Sequence, residues 1–144
     1  MTTTHEGHEV ETFVYLCTGC PLGCSLEVDA AEEGILEIRG ATCKIGERYA
    51  EQEHTDPRRP VSTTVRLDDP VHPRLPVRAA APVPKGLVAP FVSELRDLVV
   101  HPPVDRGEVL ASNVLGTGID VIATRSMAAA AREDAEARLA TADR

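Results

Sequence analysis

Four cysteines are the residues of this chain whose type and spacing most clearly suggest chemistry. Three of them, Cys17, Cys20 and Cys24, occupy the eight-residue stretch CTGCPLGC, and Cys43 follows after eighteen intervening residues. Glycines inside this stretch allow a tight turn, so that thiolates can converge from several directions. Thiolates at such spacings are typical ligands of metal centres. We therefore predict that all four cysteines bind one metal centre.

Three kinds of thiol chemistry fit this pattern. Spacings of three and four residues on a glycine loop suit a 4Fe–4S cluster, whose sulfides accept hydrogen bonds from exposed backbone N–H groups. Zinc is the alternative, although four-thiolate zinc sites usually pair two C-x2-C knuckles and this chain has one. The C-x2-C pair of Cys17 and Cys20 could also act as a redox dithiol. Composition and spacing leave all three open.

Composition excludes several function classes. The 144-residue chain has a formal net charge of -8 and no cluster of Lys and Arg, so we expect no nucleic-acid partner. No apolar run is long enough to span a bilayer, so no direct membrane insertion is expected. The polar, acidic N-terminus does not resemble a signal peptide, which favours a cytoplasmic protein. No acid, base or nucleophile set is visible, and we expect no independent enzyme activity.

A β-hairpin must bring the fourth cysteine back to the loop. Residues 13–16 are predicted to form a strand after a loose polar start over residues 1–11. Alternating apolar and polar residues at 26–29 and 35–39, around a glycine-containing turn, predict the hairpin. A short helix over residues 44–54 follows Cys43, although Gly46 lowers its helix propensity. These elements form a cysteine-bearing lobe over residues 10–56.

The remainder of the chain predicts a second lobe, and the whole is assigned to the α+β class. Apolar residues at helical spacing predict a helix over residues 87–100. A mixed strand and helix lobe covers residues 57–125, and an Ala-rich helix or tail covers 126–144. The histidines are expected at the surface rather than as ligands. The predicted strands of this lobe, starting from the first, are 61–67, 75–78, 107–115 and 119–125.

Two resemblances narrow the choice of chemistry. Residues 13–50, which contain CTGCPLGC, the hairpin and CKIG, resemble the N-terminal 4Fe–4S segment of molybdopterin oxidoreductases. A resemblance over nearly the whole chain is to the domain of unknown function 1667 family. It is carried by CTGCPLGC, CKIGERYAEQE, PRRPVSTTVRL, LPVRAAAPVPKG and PPVDRGEVLASNVLGTGIDVIATR. Together with the spacing, these resemblances favour iron–sulfur over zinc.

The second resemblance also implies a partner. Members of that family look like companions of FAD-dependent oxidoreductases, including flavoproteins of the anaerobic glycerol-3-phosphate dehydrogenase type. The expectation is therefore an electron-transfer accessory subunit in which Cys17, Cys20, Cys24 and Cys43 hold one 4Fe–4S cluster. A zinc-binding interaction module that scaffolds such an oxidoreductase is the alternative, and a thiol redox protein using Cys17 and Cys20 is a further one.

Overall fold

A computed structural model describes residues 2–5 and 8–129 of the chain. The chain divides into two compact units, Met1–Arg58 and Arg59–Arg144. Both contain strands and a helix, which confirms the α+β class. Most of the predicted tail, residues 130–144, lies outside the described residues.

The first unit is built on a four-stranded antiparallel sheet. Its strands lie side by side in chain order, and the second and third form the walls of the cysteine loop. The predicted hairpin is confirmed as β3 and β4, but the loose polar start is wrong, because residues in that region pair as strands. The first strand pairs with only the first part of the second. The strands are β1 (Thr2–His5), β2 (His8–Leu16), β3 (Ser25–Ala31) and β4 (Gly34–Arg39).

A single helix, α1 (Lys44–Thr55), packs on this sheet through small residues. Gly46 and Ala50 are its buried positions. A Cβ atom added at Gly46 would lie 3.3 Å from Ala41 Cβ, so the glycine lets the first turn of the helix lie close against Ala41, while Leu26 Cδ2 of β3 would be at an ordinary contact distance of 3.6 Å. The predicted helix is confirmed, and the glycine that lowers its propensity is the residue that permits its packing.

The second unit contains a five-stranded sheet in the order β10-β11-β7-β6-β9. Its pairs are antiparallel except β6 with β9, which run parallel. A separate two-stranded ladder joins β5 and β8. The strand β5 (Arg58–Arg59) spans the boundary between the two units. The strands within the second unit are β6 (Ser62–Leu67), β7 (Arg74–Ala79), β8 (Val83–Pro84), β9 (Val99–Val100), β10 (Val109–Ala111) and β11 (Val121–Ala123).

The helix predicted over residues 87–100 is shorter than expected. The helix α2 (Val88–Glu94) lies between the 3-10 turns Lys85–Leu87 and Leu95–Asp97. Val99 and Val100 leave the helical path and pair with β6 instead. These are β-branched residues, which fit a strand better than a helix. Leu87 and Val99, assigned to the apolar stripe, are exposed, whereas Phe91 and Leu95 are buried in the core.

One glycine allows the chain to pass close to the end of the cysteine loop. Gly40 directly follows β4 and has a φ of +79. A Cβ atom at this position would collide with the carbonyl oxygen of Ser25, the residue after Cys24. The missing side chain therefore lets the segment that leads to Cys43 cross directly beside the start of β3. Gly34 also has a positive φ, +127, but faces open space.

We predict that Gly40→Ala destabilises the protein more than Gly34→Ala. Both variants force alanine into a glycine conformation, at a cost of about 1–3 kcal/mol. Only Gly40→Ala adds a collision with backbone, for which overpacking data suggest a further cost of about 1–3 kcal/mol. Urea unfolding of the two variants measures the difference. Equal midpoints for the two variants would contradict the close approach.

Candidate metal centre

The ladder between β2 and β3 closes the base of the cysteine loop. The backbone N–H of Cys17 donates to the carbonyl of Cys24 at 2.8 Å, one residue beyond the last strand pair, Leu16 with Ser25. Cys17 and Cys24 are therefore held side by side by the sheet. Cys20 belongs to the six-residue loop that projects beyond this pair.

The four thiols differ in their surroundings. Cys17 is 5% exposed and packs in the core of the first unit with Leu26. Cys24 is partly buried, and its Sγ lies 3.2 Å from the Thr42 hydroxyl. Cys20 and Cys43 are exposed. The sheet thus holds two sulfur atoms in defined positions, while two others face solvent.

Cys43 reaches the same end of the unit at the start of α1. It is the residue before the helix, with an extended backbone, and its carbonyl accepts the N–H of Gly46 at 3.0 Å. Its thiol makes no capping hydrogen bond to the helix. The helix start lies against the loop, because a Cβ atom on Gly19 would be only 2.7 Å from Ile45 Cγ2. The loop that contains Cys20 therefore contacts the helix start two residues after Cys43.

The thiols nevertheless do not converge on one point. All four are free, and within residues 2–5 and 8–129 no three Cys, His, Asp or Glu side chains group closely enough to hold a metal ion. The structure brings the elements of the predicted site together without forming a coordination sphere. The metal-binding role of Cys17, Cys20, Cys24 and Cys43 remains a prediction.

The donor chemistry of this end of the unit fits a thiolate-bound centre. The nearest polar contacts to the sulfur atoms are the Thr42 hydroxyl and the Gly19 N–H, which lies 3.5 Å from Cys17 Sγ. A backbone N–H directed at a ligand sulfur is the type of contact that tunes iron–sulfur centres. The set therefore suits iron–sulfur or zinc better than hard cations, which prefer oxygen ligands.

Sequence reasoning missed the apolar residues around the cysteines. Leu16, Leu22 and Ile45 are 65%, 68% and 50% exposed, and each lies within two residues of a cysteine. We call these three residues the apolar ring. Their closeness in sequence to the cysteines could have pointed to them. The alternation of side chains along β2, however, does not say which face of the sheet is covered.

The outer face of the sheet carries a cluster of charges around Arg39. The Arg39 guanidinium donates to the carboxylates of Glu27, Asp29 and Glu37, which lie on two adjacent strands. Thr12 Oγ1 also donates to Asp29 at 2.7 Å. These hydrogen bonds, that of Arg39 foremost, hold the pKa of Asp29 below its ordinary value of 3.8. The cluster anchors the end of β4 just before Gly40.

His54 lies far along α1 from the cysteines and is not a ligand. Its Nδ1 is 3.1 Å from the Tyr15 hydroxyl, and its ring contacts Phe13 with centroids 4.8 Å apart. Burial, and secondarily the charge of Glu53, raises the pKa of Tyr15. This histidine is half-buried rather than at the surface, and it fixes the last turn of α1 on β2.

A family match covers more than half of the chain. Residues 44–125 match the family described as protein of unknown function DUF1667. The chain belongs to this family. The match begins at the residue after Cys43, so all four cysteines lie outside it. The family match therefore covers α1 and most of the second unit. It is shorter than the resemblance over nearly the whole chain that the sequence motifs predict.

Two other comparisons add little to the DUF1667 assignment. No curated protein matches the chain. Among solved structures, the chain is similar to the NMR structure of Clostridium perfringens protein CPE0013, at 25% sequence identity and a TM-score of 0.47. The similarity covers 51% of this chain and 88% of that protein.

In the part of the chain that the structure describes, neither helix has the length and apolar character needed to cross a membrane.

We predict that Asp29→Asn makes the protein less sensitive to acid. Because folding lowers the pKa of Asp29, the unfolded chain binds this proton more readily. The stability that Asp29 contributes is complete above about pH 4, its ordinary pKa region, and is lost as the pH falls through the lowered value. Urea midpoints of wild type and variant should differ at pH 6 and converge at low pH.

A matched variant, Glu32→Gln, removes an exposed carboxylate from the same unit without touching Arg39. It should leave the pH profile of the midpoint almost unchanged. A difference between Asp29→Asn and wild type that stays constant down to about pH 2 would contradict the effect of Arg39 on this carboxyl.

Proposed function

We propose that Cys17, Cys20, Cys24 and Cys43 bind one 4Fe–4S cluster, and that the protein is the electron-transfer accessory subunit of a flavin-dependent oxidoreductase. The observation that carries this proposal is that the β2–β3 ladder holds Cys17 beside Cys24, while the start of α1, next to Cys43, contacts the loop that contains Cys20. When bound, such a cluster supplies one-electron oxidation and reduction. The partner expected from the resemblance is an FAD enzyme of the glycerol-3-phosphate dehydrogenase type.

The cysteines would have different structural roles in ligation. Cys17 and Cys24 are already fixed by the sheet, and the hydrogen bond between their backbones sets their separation. Cys20 lies in a loop whose Gly23 has φ +61, a conformation that lets the chain turn back toward the base. Cys43 is free to supply the fourth thiolate because its side chain does not cap α1. The exposed Cys20 and Cys43 would add the two thiolates that complete the ligand set of Cys17 and Cys24.

The surface near the thiols supports a protein partner. The apolar ring is exposed, and residues 1–58 contain twelve acidic and four basic side chains, which is a net charge of -8. A partner that covers this end should therefore present apolar side chains with basic residues around them. The activity would belong to the flavoprotein, which fits a chain with no catalytic set of its own. A cytoplasmic location, as proposed from the N-terminus, would keep the thiols reduced.

Zinc remains the second candidate for the same four ligands. The apolar ring favours partner binding whichever metal is present, so a zinc-bound unit would serve as a scaffold for the oxidoreductase. The dithiol alternative is weaker, since Cys17 is buried in the core, whereas reactive thiols need exposure. Measuring the iron and zinc bound per chain distinguishes the iron–sulfur cluster, the zinc site and the metal-free dithiol.

We predict that protein purified without oxygen contains about four irons and about four acid-labile sulfides per chain. Its visible absorption band should bleach with dithionite. Cys20→Ser should lose the iron, yet change the unfolding free energy of the metal-free chain by no more than about 0.5 kcal/mol, because Cys20 is exposed.

The neighbouring substitution Thr18→Ser is the control and should retain full iron and sulfide. One zinc per chain with no iron would refute electron transfer and leave the scaffold. A metal-free protein with unchanged partner binding would favour the dithiol. Iron that persists in Cys20→Ser would remove this residue from the ligand set.

We predict that Leu22→Glu weakens reduction of the protein by its flavoprotein partner about tenfold or more, because a charge would enter a buried apolar contact. Its iron content should equal that of wild type. Leu36→Glu changes another exposed leucine, 56% exposed against 68% for Leu22, which lies on β4 outside the apolar ring, and serves as the control. Equal rates for Leu22→Glu and wild type, measured by stopped-flow absorbance, would show that the ring is not the docking surface.

A further inference from the structure

The second unit contains a cavity of about 370 Å³ at an open edge of its sheet. The strand β9 pairs with β6 only at Arg66 and Leu67, so that Thr63 and Thr64 have no strand partner on that side within the described residues. The 3-10 turn after α2 packs near this open edge. The cavity is lined by Thr63, Thr64, Arg74, Val92, Leu95 and Arg96.

All polar side chains of this lining are hydrogen-bond donors. Arg74 and Arg96 carry guanidinium groups, and Thr63 and Thr64 carry hydroxyls that can donate. No acidic residue lines the cavity. Val92 and the buried Leu95 provide apolar surface. Such a lining is suited to a negatively charged ligand with a small carbon body.

The two arginines have no carboxylate partner in the part of the chain described by the structure. Among the described residues of the second unit, no ion pair includes Arg74 or Arg96. This holds even though an acidic residue, Asp97, directly follows Arg96 in the sequence. Arg74 also lies directly opposite Arg66 on the neighbouring strand. Like charges in directly opposite positions destabilise a sheet pair, and a bound anion would relieve that cost.

This basic cavity is not a consequence of the overall charge. The chain has a net charge of -8, but residues 59–125 contain seven acidic and eight basic side chains. The excess of acid lies in residues 1–58. The family match covers β6, β7 and α2, so the cavity belongs to the segment that defines DUF1667 membership.

We propose that this cavity binds the oxyanion group, phosphate or carboxylate, of a small metabolite. The guanidinium groups of Arg74 and Arg96 hold the oxygen atoms, as planar forks of donors that match oxyanions. The hydroxyl of Thr64, which lies on the same exposed face of the sheet as Arg74, donates to a remaining oxygen. A volume of about 370 Å³ suits one small molecule.

The experiment is titration of the full ¹⁵N-labelled chain with inorganic phosphate, and separately with succinate, at constant ionic strength. We expect saturable amide shifts at Thr63, Thr64 and Arg96 with at least one anion. Arg74→Gln and Arg96→Gln should each weaken binding about tenfold or more, and the double variant should abolish saturation. The anion that saturates at lower concentration identifies the group as phosphate or carboxylate.

Arg106→Gln is the matched control, since it removes an exposed arginine of the same unit away from the cavity. It should bind the anion as wild type does, and Arg96→Lys should recover only part of the affinity because lysine lacks the fork. Linear shifts without saturation for both anions would overturn the proposal. Equal weakening by Arg106→Gln and Arg96→Gln would also overturn it, because binding would then depend on general charge.

Discussion

The backbone hydrogen bond from Cys17 to Cys24 is the constraint on which the first unit depends. It extends the β2–β3 ladder by one pair and turns the six residues between the two cysteines into a closed loop. A register error of one residue would move Cys17 from the core to the outer face, because side chains alternate along a strand. The position of every other element at that end, including the start of α1, follows from this closure.

Three glycines allow neighbouring segments of the first unit to approach one another closely. Gly40 lets the chain pass the Ser25 carbonyl, Gly46 lets the first turn of α1 lie against Ala41, and Gly19 leaves space for Ile45. In each case the glycine is used for proximity, which differs from its use in a flexible turn. The core of the first unit contains few large side chains, and these close approaches let its segments pack tightly.

The sequence predicted the elements better than their contacts. Strands β3, β4, β6 and β7 and helix α1 are confirmed because their apolar periodicity is local. The end of α2 was not predictable in this way, since Val99 and Val100 are recruited by β6, more than thirty residues earlier in the chain. The strand β1 was missed for a similar reason, because a polar segment became a strand by pairing with β2. The cavity depends on Arg74 and Arg96, which only the topology brings together.

In the candidate site, too, some features follow from the local sequence and others depend on contacts between distant segments. Spacing alone predicted that the four thiols lie near one another. The structure places the start of α1 against the cysteine loop, but within the described residues no three of the thiols group closely enough to hold a metal ion. The burial of Cys17 and the exposure of Leu16 depend on which face of the sheet the helix covers, and alternation alone cannot decide this.

The partial pairing of β1 with β2 has a consequence for the behaviour of the protein in solution. In the described residues, the side of β2 that faces β1 has no strand partner from Thr12 to Leu16, and Val14 and Leu16 are exposed there. An unpaired edge with apolar side chains is a template for another copy of the same strand. The acidic excess of residues 1–58 opposes such contacts, because two identical edges carry the same sign of charge. Colloidal stability should therefore decrease as acid neutralises those carboxylates, even where the fold is still intact.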